Sequence, residues 1–121
     1  MTNEELKTCT KKFALRVIKL VPSLKTDEID KILLKQLTRS SISVAANYRV
    51  AIKAISKKDF IYKLNFIGEE ADESYFWLEL LCEAEIVKAE KLFLLINEAK
   101  ELTAIFTAQG RTAKNNLNKK I

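Results

Sequence analysis

KILLKQLTRSSISVAANYRVAIKAISKKDF, residues 31–60, contains no proline, no glycine and no acid before Asp59. At about 100° per residue, Leu33, Leu37, Val44, Tyr48, Ala51 and Ile55 gather on one side. Lys31, Lys35, Arg39, Arg49 and Lys53 share an arc of about 80° on the other side. Such a pattern is a long amphipathic helix with one face for a core and one for the outside. It is predicted to begin at a Thr26 cap, with Asp27, Glu28 and Asp30 favourable near its positive end, and to run to about Ile55. Ser40, Ser41, Ala45 and Ala51 are small, which lets a neighbouring helix approach closely.

The flanking segments repeat the theme. Leu6, Cys9, Phe13, Val17 and Leu20 recur at spacings of three and four, and Pro22 ends that first helix because it has no amide proton. Ser56 with Asp59 resembles a capping box, so a third helix is predicted from about Lys57 to Glu83. A fourth starts near Val87 or Lys88 and carries Leu92, Leu95, Ile96, Ala99, Leu102, Ile105 and Phe106. Gly110 ends or weakens it, with fraying expected after about Asn115 and a loose basic end. The fold class is therefore all-α, an antiparallel up-down-up-down four-helix bundle. Residues 1–116 form the domain and 117–121 a basic C-terminal tail. Two glycines and one proline in 121 residues argue against a turn-rich β fold.

Charge is unevenly spread. The chain carries a formal +5, yet residues 31–58 hold seven Lys or Arg and no acid. The remaining 93 residues hold 14 bases and 16 acids. A concentrated basic face is the footprint expected of a phosphate-binding surface, whereas a solvated face is its simpler reading. The candidate nucleic-acid contacts are Lys31, Lys35, Arg39, Arg49 and Lys53, with Lys114, Lys119 and Lys120 of the C-terminal end.

From Asp59 to Glu90 nine acids face two lysines. Phe60, Leu64, Ile67, Ala71, Tyr75 and Leu78 form a stripe for the core. Tyr62, Phe66, Phe76, Trp77 and Leu80, interspersed with Glu69 and Glu73, form a second one on the far side. One bundle does not easily bury both sides of a helix, so this stripe is the candidate oligomer interface. A basic helix and an acidic one on the same subunit suit a head-to-tail contact, which closes into a ring. Part of the basic stripe then has a competing explanation, namely a neighbouring subunit's acids.

Histidine is absent, and with it the commonest general base and metal ligand. There is no glycine-rich phosphate loop and no CxxC pair, so no cofactor is expected. An enzyme reading would rest on Glu69, Glu70 and Glu73 around a metal, and catalysis is not expected. Cys9 and Cys82 read as buried or half-buried thiols in a reducing cytoplasm rather than as a disulfide. No apolar run reaches the length of a membrane span, and the start does not read as a signal peptide.

Arg39–Arg49 (RSSISVAANYR), Ser56–Leu64 (SKKDFIYKL) and Glu70–Leu81 (EADESYFWLELL) resemble, in order and spacing, the four-helix-bundle family of 23S ribosomal RNA intervening-sequence proteins. The accessory variability determinant of diversity-generating retroelements is a related bundle. The resemblance covers about residues 5–116. It implies an antiparallel bundle, a homopentameric ring, RNA ahead of DNA as ligand, and a ribosomal RNA or reverse transcriptase context. Arg39, Asn47, Tyr48 and Arg49 are the matching motif positions. Val50 stands close to where relatives often carry a glutamate, so that acid's role is absent or displaced. The readings in competition are a nucleic-acid-binding accessory ring and a protein–protein scaffold.

Overall fold

The computed structural model describes residues 1–24 and 27–119. Among them the elements are α1 (Asn3–Leu20), a 3-10 turn (Val21–Ser23), α2 (Glu28–Ala51), α3 (Lys57–Glu83) and α4 (Ala89–Asn118). No described residue lies in a strand. Pro22 sits inside the 3-10 turn and stops α1, as its missing amide requires. Thr26 lies outside the described residues. The cap of α2 is Asp27, whose Oδ1 accepts from the Asp30 amide at 2.9 Å while its own amide donates to Asp30 Oδ2 at 3.4 Å. That is a capping box built from two aspartates.

Successive helices are antiparallel neighbours. The Tyr48 hydroxyl, late in α2, donates to Asn3 Oδ1 at the start of α1, and Gly110, late in α4, lies against Asn65, early in α3. The broadest contacts join α3 to α4 and α2 to α3, and the seam between α1 and α4 is the thinnest. Leu6, Phe13 and Val17 meet Leu37, Val44 and Tyr48, then Leu64, Ile67 and Leu78, then Leu92 and Phe106 in one continuous core. Cys9 and Cys82 are half-buried free thiols.

Three expectations need correction. α2 stops at Ala51, not Ile55, and Ile55 is 96% exposed rather than core-facing. The cause is Ser56, which must be extended (φ −148°, ψ 162°) to accept from the Asp59 amide, so the chain uses the preceding residues to turn. The other half of the expected box is replaced by Asp59 accepting from Lys63 Nζ at 2.6 Å. Finally, α4 neither ends at Gly110 nor frays after Asn115, but continues to Asn118. Gly110 is buried on α3, and Ala113 still packs against the core, so tertiary contact outweighs a weak local propensity.

The glycines serve the α3–α4 contact differently. A Cβ on Gly110 would stand 2.8 Å from Asn65 Oδ1, whereas one on Gly68 would meet Phe106 Cβ at an ordinary 3.6 Å. Gly68→Ala is therefore expected to raise stability by about 0.5–1 kcal/mol through helix propensity alone. A higher midpoint in thermal unfolding at unchanged helicity checks this.

Candidate functional site

The α2 turn-by-turn spacing lays Lys31, Lys35, Arg39 and Arg49 on its exposed side, whereas Lys53, though exposed, lies past the end of the helix in the turn after Ala51 and is not part of that stripe. Lys31 makes one exposed contact with Glu28 at 3.3 Å, which contributes little in water. Lys35, Arg49 and Lys53 take part in no ion pair among the described residues. Lys31, Lys35 and Arg39 also wall a shallow groove of about 530 Å3 floored by Leu34 and Val21.

Arg39 is different. Its Nη1 lies 3.2 Å from Glu70 Oε2, its Nη2 lies 2.6 Å from Glu73 Oε1, and its Nε donates to Gln36 at 3.1 Å. The acids that Arg39 meets belong to its own chain, because antiparallel packing sets the middle of α2 beside the middle of α3. Ser40 Oγ and Ser74 Oγ share a buried hydrogen bond of 2.7 Å at the same crossing, where the small residues do bring the helices close. The Glu70 side chain is only 10% exposed. Burial pushes its carboxyl above the usual range and the bond with Glu73 adds to this, while Arg39 opposes them. Glu73 is held below the usual range, first by the bond from Arg39. The two carboxyls share one guanidinium, so the titration of each depends on the other. Among the described residues no three acids or thiols are placed to hold a metal ion.

The second stripe of α3 divides. Tyr62 is 74% exposed, and Phe66 and Phe76 are exposed too, with Glu69 beside them. Trp77 and Leu80 are half-buried. The Trp77 Nε1 donates to Glu73 at 3.3 Å and its ring meets the Phe76 edge at 5.1 Å, so Glu73 and Trp77 are braced within the chain. Lys114 and Lys119 are exposed near the end of α4, where α1 and α3 begin, and Lys120 lies outside the described residues. Asn47 donates to Ser43 of its own helix at 2.8 Å and does not bridge helices.

Two features escaped the sequence reading. Leu15 and Ile18 stand outside the core stripe of α1 and are exposed beside Ile42 of α2, which makes an apolar groove between the two helices. Their i, i+3 spacing away from Phe13 and Val17 was the available signal. The other feature is Glu98, whose bridge to Arg16 at 2.5 Å ties α4 to α1. Its Oε1 is buried without a partner among the described residues, and burial raises its pKa.

The model of the family described as 23S rRNA-intervening sequence protein matches residues 4–108. The chain is also similar to a crystal structure of a protein of unknown function from the S23 ribosomal protein family of Bacteroides thetaiotaomicron VPI-5482. Identity is 32%, with 92% of this chain and 99% of that one covered, at a TM-score of 0.82. No curated protein matches.

Proposed function

Because the chain belongs to the 23S rRNA-intervening sequence protein family, we propose that it is a non-enzymatic, self-assembling accessory bundle that binds nucleic acid through phosphate contacts. The observation that carries this reading is the basic run along α2 and into the turn after it, where Lys35, Arg49 and Lys53 have no ion-pair partner among the described residues. Lys31, Lys114 and Lys119 extend it, and Arg39 is left out because its guanidinium is already committed to Glu70 and Glu73. RNA stands ahead of DNA on the ribosomal names of the family and of the similar structure. Assembly through the α3 aromatics, with five copies by resemblance, multiplies the charge presented to one strand. Two free thiols fit a reducing, cytoplasmic setting. A scaffold without nucleic acid is the second reading, favoured by those same exposed aromatics.

Lys35→Glu with Lys53→Glu tests the proposal on two groups that nothing in the fold uses. RNA binding at low salt is expected to weaken at least roughly tenfold, with little dependence on sequence. The unmutated chain should lose affinity steeply as salt rises, because neutralised phosphates release counterions. Filter binding reads both, and unchanged mass in light scattering shows that assembly is intact. Full affinity in the double variant would leave the scaffold reading in its place.

A further inference from the structure

The groove between α1 and α2 has no occupant within the chain. Its volume is about 510 Å3; its floor is Leu15, Ile18 and Ile42, with Ala45 and Ala46 keeping it open. Lys7, Lys11 and Arg49 stand along it, against a single acid, Glu4. An apolar trough with a basic rim selects a helix that offers large apolar side chains flanked by acids.

This chain carries such a helix face. Tyr62, Phe66 and Phe76 are exposed on α3, with Glu69 and Asp72 alongside and in no ion pair among the described residues. The lengths agree. Glu4 to Ile18 and Tyr62 to Phe76 each span 14 steps, about 21 Å of helix. Small residues below and aromatic rings above give complementary relief, and the charges have opposite sign. The chain's own α3 does not reach the groove, because α3 packs on α2 and α4 and points its outer stripe away.

We infer that the groove between α1 and α2 receives the outer face of α3 from a second copy of this chain. The contact is head-to-tail, joining unlike surfaces. The two surfaces are not diametrically opposed, since α2, one wall of the groove, is also a direct neighbour of α3. Successive copies therefore turn relative to one another rather than running in a straight row, the arrangement that a closed ring requires. Arg49 then meets acids of the next copy, leaving Lys31, Lys35, Lys53 and the end of α4 for phosphates. This inference rests on the self-assembly proposed above and names the surface that completes it.

The test uses one blocked variant for each face. Ala46→Glu places an acid in the groove, and Phe76→Glu places one on the stripe; both positions are exposed, so far-UV circular dichroism should stay unchanged. Each variant alone is expected to be a monomer by light scattering. Mixed together they should form a one-to-one dimer, because each contributes the one face the other lacks. A multi-copy Ala46→Glu, or a mixture that stays monomeric, overturns the inference while assembly of the unmutated chain stands. An unmutated chain that is itself monomeric at micromolar concentration ends both. Zero-length carbodiimide cross-linking of the unmutated assembly is independent of any folding defect. It should join Lys7 or Lys11 to Glu69 or Asp72 between copies, and the absence of such links counts against the contact. Lys7→Glu with Lys11→Glu should weaken assembly; loss of RNA binding with full assembly would assign the groove to nucleic acid instead.

Discussion

Tyr48→Ala is expected to remove about 3–5 kcal/mol of stability, the range for deleting a large buried ring. Tyr48 is fully buried on α2, its ring 5.5 Å from that of Phe106 on α4, and its hydroxyl donates to Asn3 on α1 at 3.1 Å. One side chain thus holds three helices, and little of a small domain's roughly 5–15 kcal/mol survives its loss. Tyr48→Phe separates the two contributions. It keeps the ring and forfeits one hydrogen bond, at a cost of about 1 kcal/mol. Urea unfolding followed by circular dichroism reads both, and a Tyr48→Ala loss below that of Tyr48→Phe would contradict the core position.

Arg39→Glu is expected to have an effect of similar size, about 3–5 kcal/mol at neutral pH, because it strands a buried acid beside two others. The solvent exposure of Arg39 pulls the value towards the lower end. The pH dependence follows from the shifts. Glu70, raised by burial, adds stability only while protonated and loses it as pH climbs through its folded value. Glu73, lowered by Arg39, adds stability above the ordinary carboxylate range and loses it as pH falls through its folded value. The two contributions oppose each other in the unmutated chain. Without Arg39 both carboxyls move up, so the deficit is full at about pH 7 and shrinks towards about pH 4 as protons replace the guanidinium. Urea unfolding at the two pH values checks this, and a deficit that grows on acidification would contradict it.

The helices were legible because each one needs only a periodic apolar stripe and a stop. Pro22 and Ser56 supplied the stops in residue types that act locally. The errors at Ile55 and Gly110 arose where a local rule competed with packing. Ser56 claimed an extended backbone that the periodicity around Ile55 ignored, and α3 supported a glycine that propensity alone would have made a terminus. The basic stripe was visible as charge, but the engagement of Arg39 was not, since it depends on which turn of α3 stands opposite. An Arg facing two acids one turn apart on an antiparallel neighbour is a pairwise, tertiary fact. The groove between α1 and α2 was missed for a related reason: the apolar residues that form it are few on each helix and become a surface only when the two are side by side.

The order of helix contacts also bears on how the chain reaches this state. Its three broad interfaces each join helices that are consecutive in the sequence, through connections of a few residues, while α1 and α4 meet thinly. Closing short loops costs little entropy, and a topology with such local contacts folds on the microsecond-to-millisecond scale. Each helical hairpin can dock as soon as its second helix forms. The core around Tyr48 and Phe106, which needs α4, closes last, so during synthesis the hydrophobic interior stays open until α4 has emerged.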